Sequence, residues 1–325
     1  MTLPSSGAIS LSNVNTEIGY SATATISMND AAIRGLAAVA SGAISMSNFY
    51  GKSNIRYLII TSNTTNYNIK TAVGASYLAG HSHVQVTINS GIRIGSTSTS
   101  AYAMDTGTGW VAGDSISIIN NGYIEGMGGT GAGGGITNAP GNATAGGPGL
   151  IAQFAVSITN AAGYIYSGGG GGGGGGGILR GGAYRMGGGG GGGGGGYNAG
   201  GGGAQGHGNT AHGGAAYYGG LGAGGGVSAG GGGGGGAGAA SLVCGAGGAG
   251  GAIGASGAGG ANGHLVGAVR TGPSSYPRTV MSPMSLSPSF RGYYGSGGAG
   301  HGVAINGISN VTWVSGNTRV YGGTV

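Results

Sequence analysis

Between residues 245 and 262 the chain reads as six triplets, GAG, GAG, GAI, GAS, GAG and GAN, with Gly again at 263. A strict period of three fits neither an α-helix, at about 3.6 residues per turn, nor a strand, at about 2. It fits the left-handed polyproline II conformation, which has about three residues per turn and no hydrogen bonds of its own. Its N–H and C=O groups face outward and must find partners. Only 7 residues are proline, so nearly every N–H is present and neighbouring helices can bond to one another. Close approach requires a face without Cβ, which glycine supplies.

The glycines sort accordingly. Ten are consecutive at 168–177, ten at 187–196 and seven at 230–236. The ten-glycine runs predict interior helices of roughly 31 Å. The triplet run predicts an outer one, with Ile253, Ser256 and Asn262 facing out. Ordering each glycine costs roughly 1–2 kcal/mol of backbone entropy, so a dense hydrogen-bond lattice has to offset it. Glycine makes up 91 of 325 residues. The scarcity of proline excludes collagen, and an apolar share of 39% argues against a disordered linker.

Charge is sparse, at 5% of the chain. All five acids (Glu17, Asp30, Asp105, Asp114, Glu125) lie in the first 125 residues, balanced by five bases. Residues 126–325 hold six Arg, no Lys and no acid, so paired-carboxylate chemistry has no place there. No nucleophile–base constellation stands out, and the glycine runs lack the Lys-Ser/Thr of a phosphate loop. We expect no enzyme activity and no cofactor. The cationic glycine-rich part favours anionic partners such as phosphate, lipopolysaccharide or nucleic acid, and Arg suits bidentate phosphate contacts. Cys244 reads as a small buried filler. Neither a secretory signal nor a membrane span is expected.

An internal repeat opens the chain. Ile9-Ser-Leu-Ser-Asn13, Ile26-Ser-Met-Asn-Asp30 and Ile44-Ser-Met-Ser-Asn48 share one pattern, and each copy ends in Ser, Asn or Asp residues that make good helix N-caps. A short helix is predicted after Asp30, with Ile33, Leu36, Ala37 and Ala40 on one stripe. Residues 1–55 are too few for a large core and predict a small module that docks on something. Strands are predicted at 56–61, 83–89 and 115–119, the last followed by a turn at 120–122 and Tyr123-Ile124. The expected fold is mostly irregular and β. It comprises the module at 1–55, a β domain at 56–125 and, over 126–325, a polyglycine II helix bundle with end loops.

Binding residues concentrate in loops on rigid scaffolds, and Tyr and Arg are frequent contact residues. The non-glycine inserts between runs therefore supply the candidates. They are Arg180, Tyr184 and Arg185 between the ten-glycine runs; His207, His212, Tyr217 and Tyr218 in the next insert; and Arg270, Tyr276, Arg278, Phe290, Arg291, Tyr293 and Tyr294 in the proline-containing insert 264–294.

The segment SGAISLSN…ISMNDAAIRGLAAVASGAISMSNFYGKS resembles the N-terminal attachment module of phage tail proteins. IINNGYIEGMGG (118–129) and VSITNAAGYIYSGGGGGGGGGG (156–177) are similar to glycine-rich phage tail-fibre proteins, and the ending from Val303 to Val325 resembles a C-terminal strand pair in the same proteins. The architecture resembles the distal adhesins of T-even-type phages, from which this chain differs by its β domain and the 264–294 insert. The resemblance implies a receptor-binding adhesin of the virion, at the tail fibre or tail tip. Its partners would be a bacterial outer-membrane protein or lipopolysaccharide, and other phage tail proteins through 1–55, with no nucleic acid. It implies either a homotrimer or a monomer on a trimeric fibre. In trimeric fibres, His-x-His pairs can gather iron on the threefold axis, which makes His81 and His83 weak metal candidates beside the plainer reading of an exposed polar face. Two other readings remain open at this point: a structural tail component without receptor contact, and an ice-binding glycine-rich protein.

Overall fold

A computed structural model of the chain describes residues 3–135, 140–180, 184–205, 222–226, 229–231, 233–234, 236, 238–239, 242–261, 264–265, 284–287, 290–292 and 294–325. The N-terminal repeat folds into three short helical turns. Ser10 caps α1 (Leu11–Glu17), and the Asn13 side chain accepts the Ser10 N–H at 2.9 Å. Ser45 and Asn48 do the same for a 3-10 turn at Met46–Phe49, at 2.8 Å. In the middle copy Asp30 stands at the N-cap of α2 (Ala31–Ala37) and accepts the Ser27 N–H at 2.9 Å. Of the Ser and Asn in the outer copies, the Ser is the cap and the Asn reciprocates from the third helical position. Val14, Ile18, Ile33, Leu36 and Phe49 form a small core of their own. Ala40 falls outside the predicted stripe because α2 ends at Ala37, its C-cap Ala38 having φ 59°.

From residue 55 the chain winds in repeated turns. The first turn contributes β1 (Ile55–Ile60), β2 (Thr64–Thr65) and β3 (Tyr67–Asn68), followed by a short helix, α3 (Ile69–Val73). The second contributes β4 (His83–Ile88), β5 (Arg93–Gly95) and β6 (Met104–Asp105). The third contributes β7 (Ser115–Asn120), β8 (Tyr123–Glu125) and, after an insertion, β9 (Leu150–Ile151). The fourth turn begins with β10 (Val156–Thr159) and β11 (Tyr164–Tyr166). A much longer insertion then carries β12 (Ile178–Arg180), β13 (Tyr184–Met186), β14 (Gly238–Ala239), β15 (Leu242–Val243), β16 (His264–Leu265), β17 (Met284–Ser287) and β18 (Phe290–Gly292). It closes with β19 (Val303–Asn306), and the fifth turn adds β20 (Val311–Ser315), β21 (Val320–Tyr321) and β22 (Gly323–Thr324).

Like strands stack on like. The orders β1-β4-β7-β10-β20, β2-β5-β8-β11-β21 and β3-β6-β9-β19-β22 make three five-stranded sheets, all parallel. The chain is a three-sided stack of five rungs. The alternation in His83-Val-Gln-Val-Thr-Ile88 explains it: Val84, Val86 and Ile88 are buried and the residues between them half-exposed. Register then aligns apolar residues in columns, Leu58–Val86–Ile118–Ile158–Trp313 on one side and Met104–Leu150–Ile305 on another. These columns line one continuous core. Buried Asn120 bonds Asn160 at 2.8 Å one rung on, so the polar groups at that corner are paired. The 120–122 turn carries the chain from one sheet into the next, since β7 and β8 lie in different sheets.

This corrects the expected fold class. The chain is not a polyglycine II helix bundle beside an irregular β region. Its regular architecture is three five-stranded parallel sheets with few helices, and the sheets take strands from both sides of residue 125. Several strands beyond 125 are too short to show a period, β9 having 2 residues and β11 having 3.

The insertions, 126–149 and 167–302, leave from one corner, between the second and third sheets. The first and fifth rungs cross that corner with single residues, Asn66 (φ 50°) and Gly322 (φ 121°). Within the insertions, glycine segments are cross-linked by backbone hydrogen bonds. Gly169, Gly172 and Gly175 donate to Gly195, Gly192 and Gly189, while Gly170, Gly173 and Gly176 donate to Ala255, Ala258 and Ala261.

Candidate functional site

The direction of each glycine segment follows from its hydrogen bonds. Segment 168–176 runs antiparallel to 189–195 and parallel to 255–261. Segment 200–203 runs back along 191–194, 222–225 along 200–203, and 296–302 along 168–174. The chain therefore shuttles between two ends. One end is held on the β-stack: Asn198 donates to the Ser96 carbonyl at 3.0 Å, Gly254 donates to Ser167, and a Cβ on Gly95 would collide with the Tyr197 ring. The other end lies ten residues of extended chain beyond Tyr166, about 30 Å away.

At that far end two small sheets form. β14, β15 and β16 make an antiparallel trio. The larger sheet has four antiparallel strands in the order β13-β12-β18-β17. Its register gathers five of the sequence candidates. Arg180 lies opposite Tyr184 on one neighbouring strand and opposite Phe290 on the other. In the next row Leu179 lies opposite both Arg185 and Arg291. Tyr294, half-buried, begins the segment that returns to the stack. His207, His212, Tyr217, Tyr218, Arg270, Tyr276, Arg278 and Tyr293 lie outside the described residues.

The two weak metal candidates fall elsewhere, at the seam between the N-terminal module and the stack. His81 meets the Ile18 carbonyl at 3.1 Å and packs edge-on against Tyr20, and His83 meets the Ser115 hydroxyl at 2.7 Å. Among the described residues no group of three or more His, Cys, Asp or Glu is placed to hold a metal ion. Cys244 is buried, and Trp110 is in the core with its N–H donated to the Thr106 carbonyl at 2.9 Å.

One surface cluster has no forewarning in the sequence. On the second sheet Tyr123, Tyr164, Tyr166 and Tyr321 stack in a ladder, with centroid spacings of 5.7, 5.5 and 5.1 Å. The Arg93 guanidinium lies over Tyr123 and that of Arg319 over Tyr164, each at 4.9 Å. Arg93 also clasps buried Glu125 through two hydrogen bonds, at 2.9 and 2.6 Å. Burial pushes the Glu125 carboxyl up against the opposing pull of Arg93. Burial, then the neighbouring tyrosines and Glu125, push the Tyr166 phenol up to about 12. The rungs assemble this ladder from residues scattered over 93–321, so only sheet register could reveal it.

The model of the phage tail fibre adhesin Gp38 family matches residues 55–325. The chain belongs to that family. The match spans both the stack and the glycine insertions, and it places the adhesin at the phage tail fibre as a receptor-binding protein. No curated protein matches the adhesin. Among solved structures, the crystal structure of the gp37–gp38 adhesin tip complex of the bacteriophage S16 long tail fibre is similar. It has 20% identity, covers 97% of each chain and has a TM-score of 0.47.

Proposed function

We propose that this adhesin grips a bacterial surface receptor, an outer-membrane protein or lipopolysaccharide, with the far end of its glycine insertions. It acts by contact and without catalysis. Residues 1–55 mount it on another tail-fibre protein. The observation that carries this reading is the shuttle of the glycine segments. The described far-end strands, β12, β13, β17 and β18, sit on a hydrogen-bonded scaffold whose other end is tied to the stack, and they carry five of the candidate residues. The contact reading is also supported by the carboxylates, all of which lie within 1–125 and away from that end.

Exchange of 264–294 for the corresponding segment of an adhesin with another host tests it. Virions should assemble normally and their adsorption should shift to the other host. Unchanged adsorption would remove the far end from receptor contact and favour a structural tail component.

A further inference from the structure

We infer that the open edge of β1 pairs with an extended apolar segment of the tail-fibre protein that carries the adhesin, so that the docking surface runs from residues 1–55 onto the first rung of the stack. The inference rests on the mounting role proposed above for residues 1–55 and adds to it a surface of the stack itself. β1 ends the first sheet, with β4 on one side and no strand on the other. It follows the module without a linker. Asn54 donates its N–H to Glu17 and its side-chain amide to the His81 carbonyl, both at 2.9 Å, and the strand begins at the next residue.

The open groups can be named. Asn89 donates to the Ile60 carbonyl, so Ile60, Leu58 and Arg56 turn their backbone groups toward β4. Ile55, Tyr57 and Ile59, one residue out of step, turn theirs to the open side. There the Ile55 N–H reaches the Ser53 hydroxyl at 3.2 Å, and those of Tyr57 and Ile59 have no partner among the described residues. The side chains of Tyr57 and Ile59 are 52% and 61% exposed.

Folded proteins guard sheet edges with bulges, short strands, proline or charge. The opposite end of the stack is guarded in this way. β20 pairs with β10 through a bulge that skips Val314, β21 and β22 have 2 residues each, and Gly254 of the insertion lies against Tyr321. β1 instead keeps an unbroken register of six pairs with β4, has no proline and carries one charge, Arg56. Its sequence, Ile-Arg-Tyr-Leu-Ile-Ile, favours strand pairing. An edge of this kind needs a cover, and the chain nearest to it is the one on which the preceding module is mounted. An added strand would bond the free groups of Tyr57 and Ile59 and set apolar side chains beside theirs.

Amide exchange compares purified full-length adhesin with the same adhesin bound to the tail-fibre protein. The fast-exchanging amides of 55–60 should slow at least tenfold in the complex, and those of 311–315 at the guarded end should not. Equal exchange at 55–60 in the two states would overturn the inference, and that comparison needs no variant to fold. Protection of 55–60 that appears in the free adhesin as its concentration rises would overturn it in favour of a second copy as the occupant. Tyr57→Pro removes one open N–H and no bond to β4, and Ile59→Lys sets a charge on the edge. Each should weaken retention on the fibre roughly tenfold while the free adhesin keeps the parent's β-type circular dichroism. Leu11→Glu, at an exposed position of α1, probes the module separately. Lost retention in that variant with full retention of both β1 variants would overturn the inference and leave the mounting role of 1–55 standing.

Discussion

Asp114 shows how one side chain fastens two turns of the stack. Its carboxylate accepts the Ser82 N–H at 3.0 Å, the Val111 N–H at 2.9 Å and the Tyr77 hydroxyl at 2.7 Å. Burial alone would raise its pKa, but these donors outweigh it and hold the carboxyl below its usual value. Tyr77 is pushed up to about 12, by burial first and by Asp114 second. A depressed carboxyl pKa adds stability above the unfolded-state value near 3.8, and that stability is lost as pH falls through the folded-state value. Asp114→Asn should therefore cost about 1–3 kcal/mol at neutral pH, with the difference from the parent shrinking as pH drops below 4. Urea unfolding followed across pH checks it, and a constant difference would refute the assignment. Beside Gly113, Asp114 reads locally as a turn residue. Its bonds to Ser82 and Tyr77, residues more than 30 positions away, depend on which rung stacks on which.

At the scale of the element, the glycine segments differ in how much room they leave. A Cβ on Gly172 would stand inside van der Waals contact of the Gly248 carbonyl oxygen, whereas nothing lies within 4 Å of one on Gly201. Gly172→Ala should collapse the local hydrogen bonds and expose segments 168–176 and 244–252 to amide exchange. Gly201→Ala should change stability by no more than about 0.5 kcal/mol. Equal exchange in the two variants would mean that close packing does not hold these segments. The need for glycine was legible in the runs and triplets themselves. Most strands of the second and third sheets were not, since two or three residues carry no period. The identities of β9, β11 and β21 come from partners aligned with them one rung away.

For the molecule as a whole, the insertions interrupt a stack that is already complete without them. The first and fifth rungs cross the shared corner with one residue of positive φ each. Deleting 127–149 and 168–302, with Ser167→Gly at the new corner, leaves Gly126 and residue 167 to make the same crossing. This shortened chain should retain the five-rung stack, seen as β-type circular dichroism and cooperative unfolding, and lose adsorption. Loss of the stack would show that the glycine segments are needed to fold it. What the sequence by itself determined was local. A period of three, the absence of Cβ and the segregation of charge dictate close backbone contact and a net positive charge over 126–325, because each follows from residue type and spacing. Tertiary structure alone decided the rungs, the single corner from which both insertions leave, and the pairing of β12 with β18 that brings Arg180, Arg185 and Arg291 together. The rungs and their corner depend on parallel pairing between segments up to about 150 residues apart, where the gain comes from burying aligned columns of side chains, and the β12–β18 pair on antiparallel register between distant segments; no short stretch carries either signal.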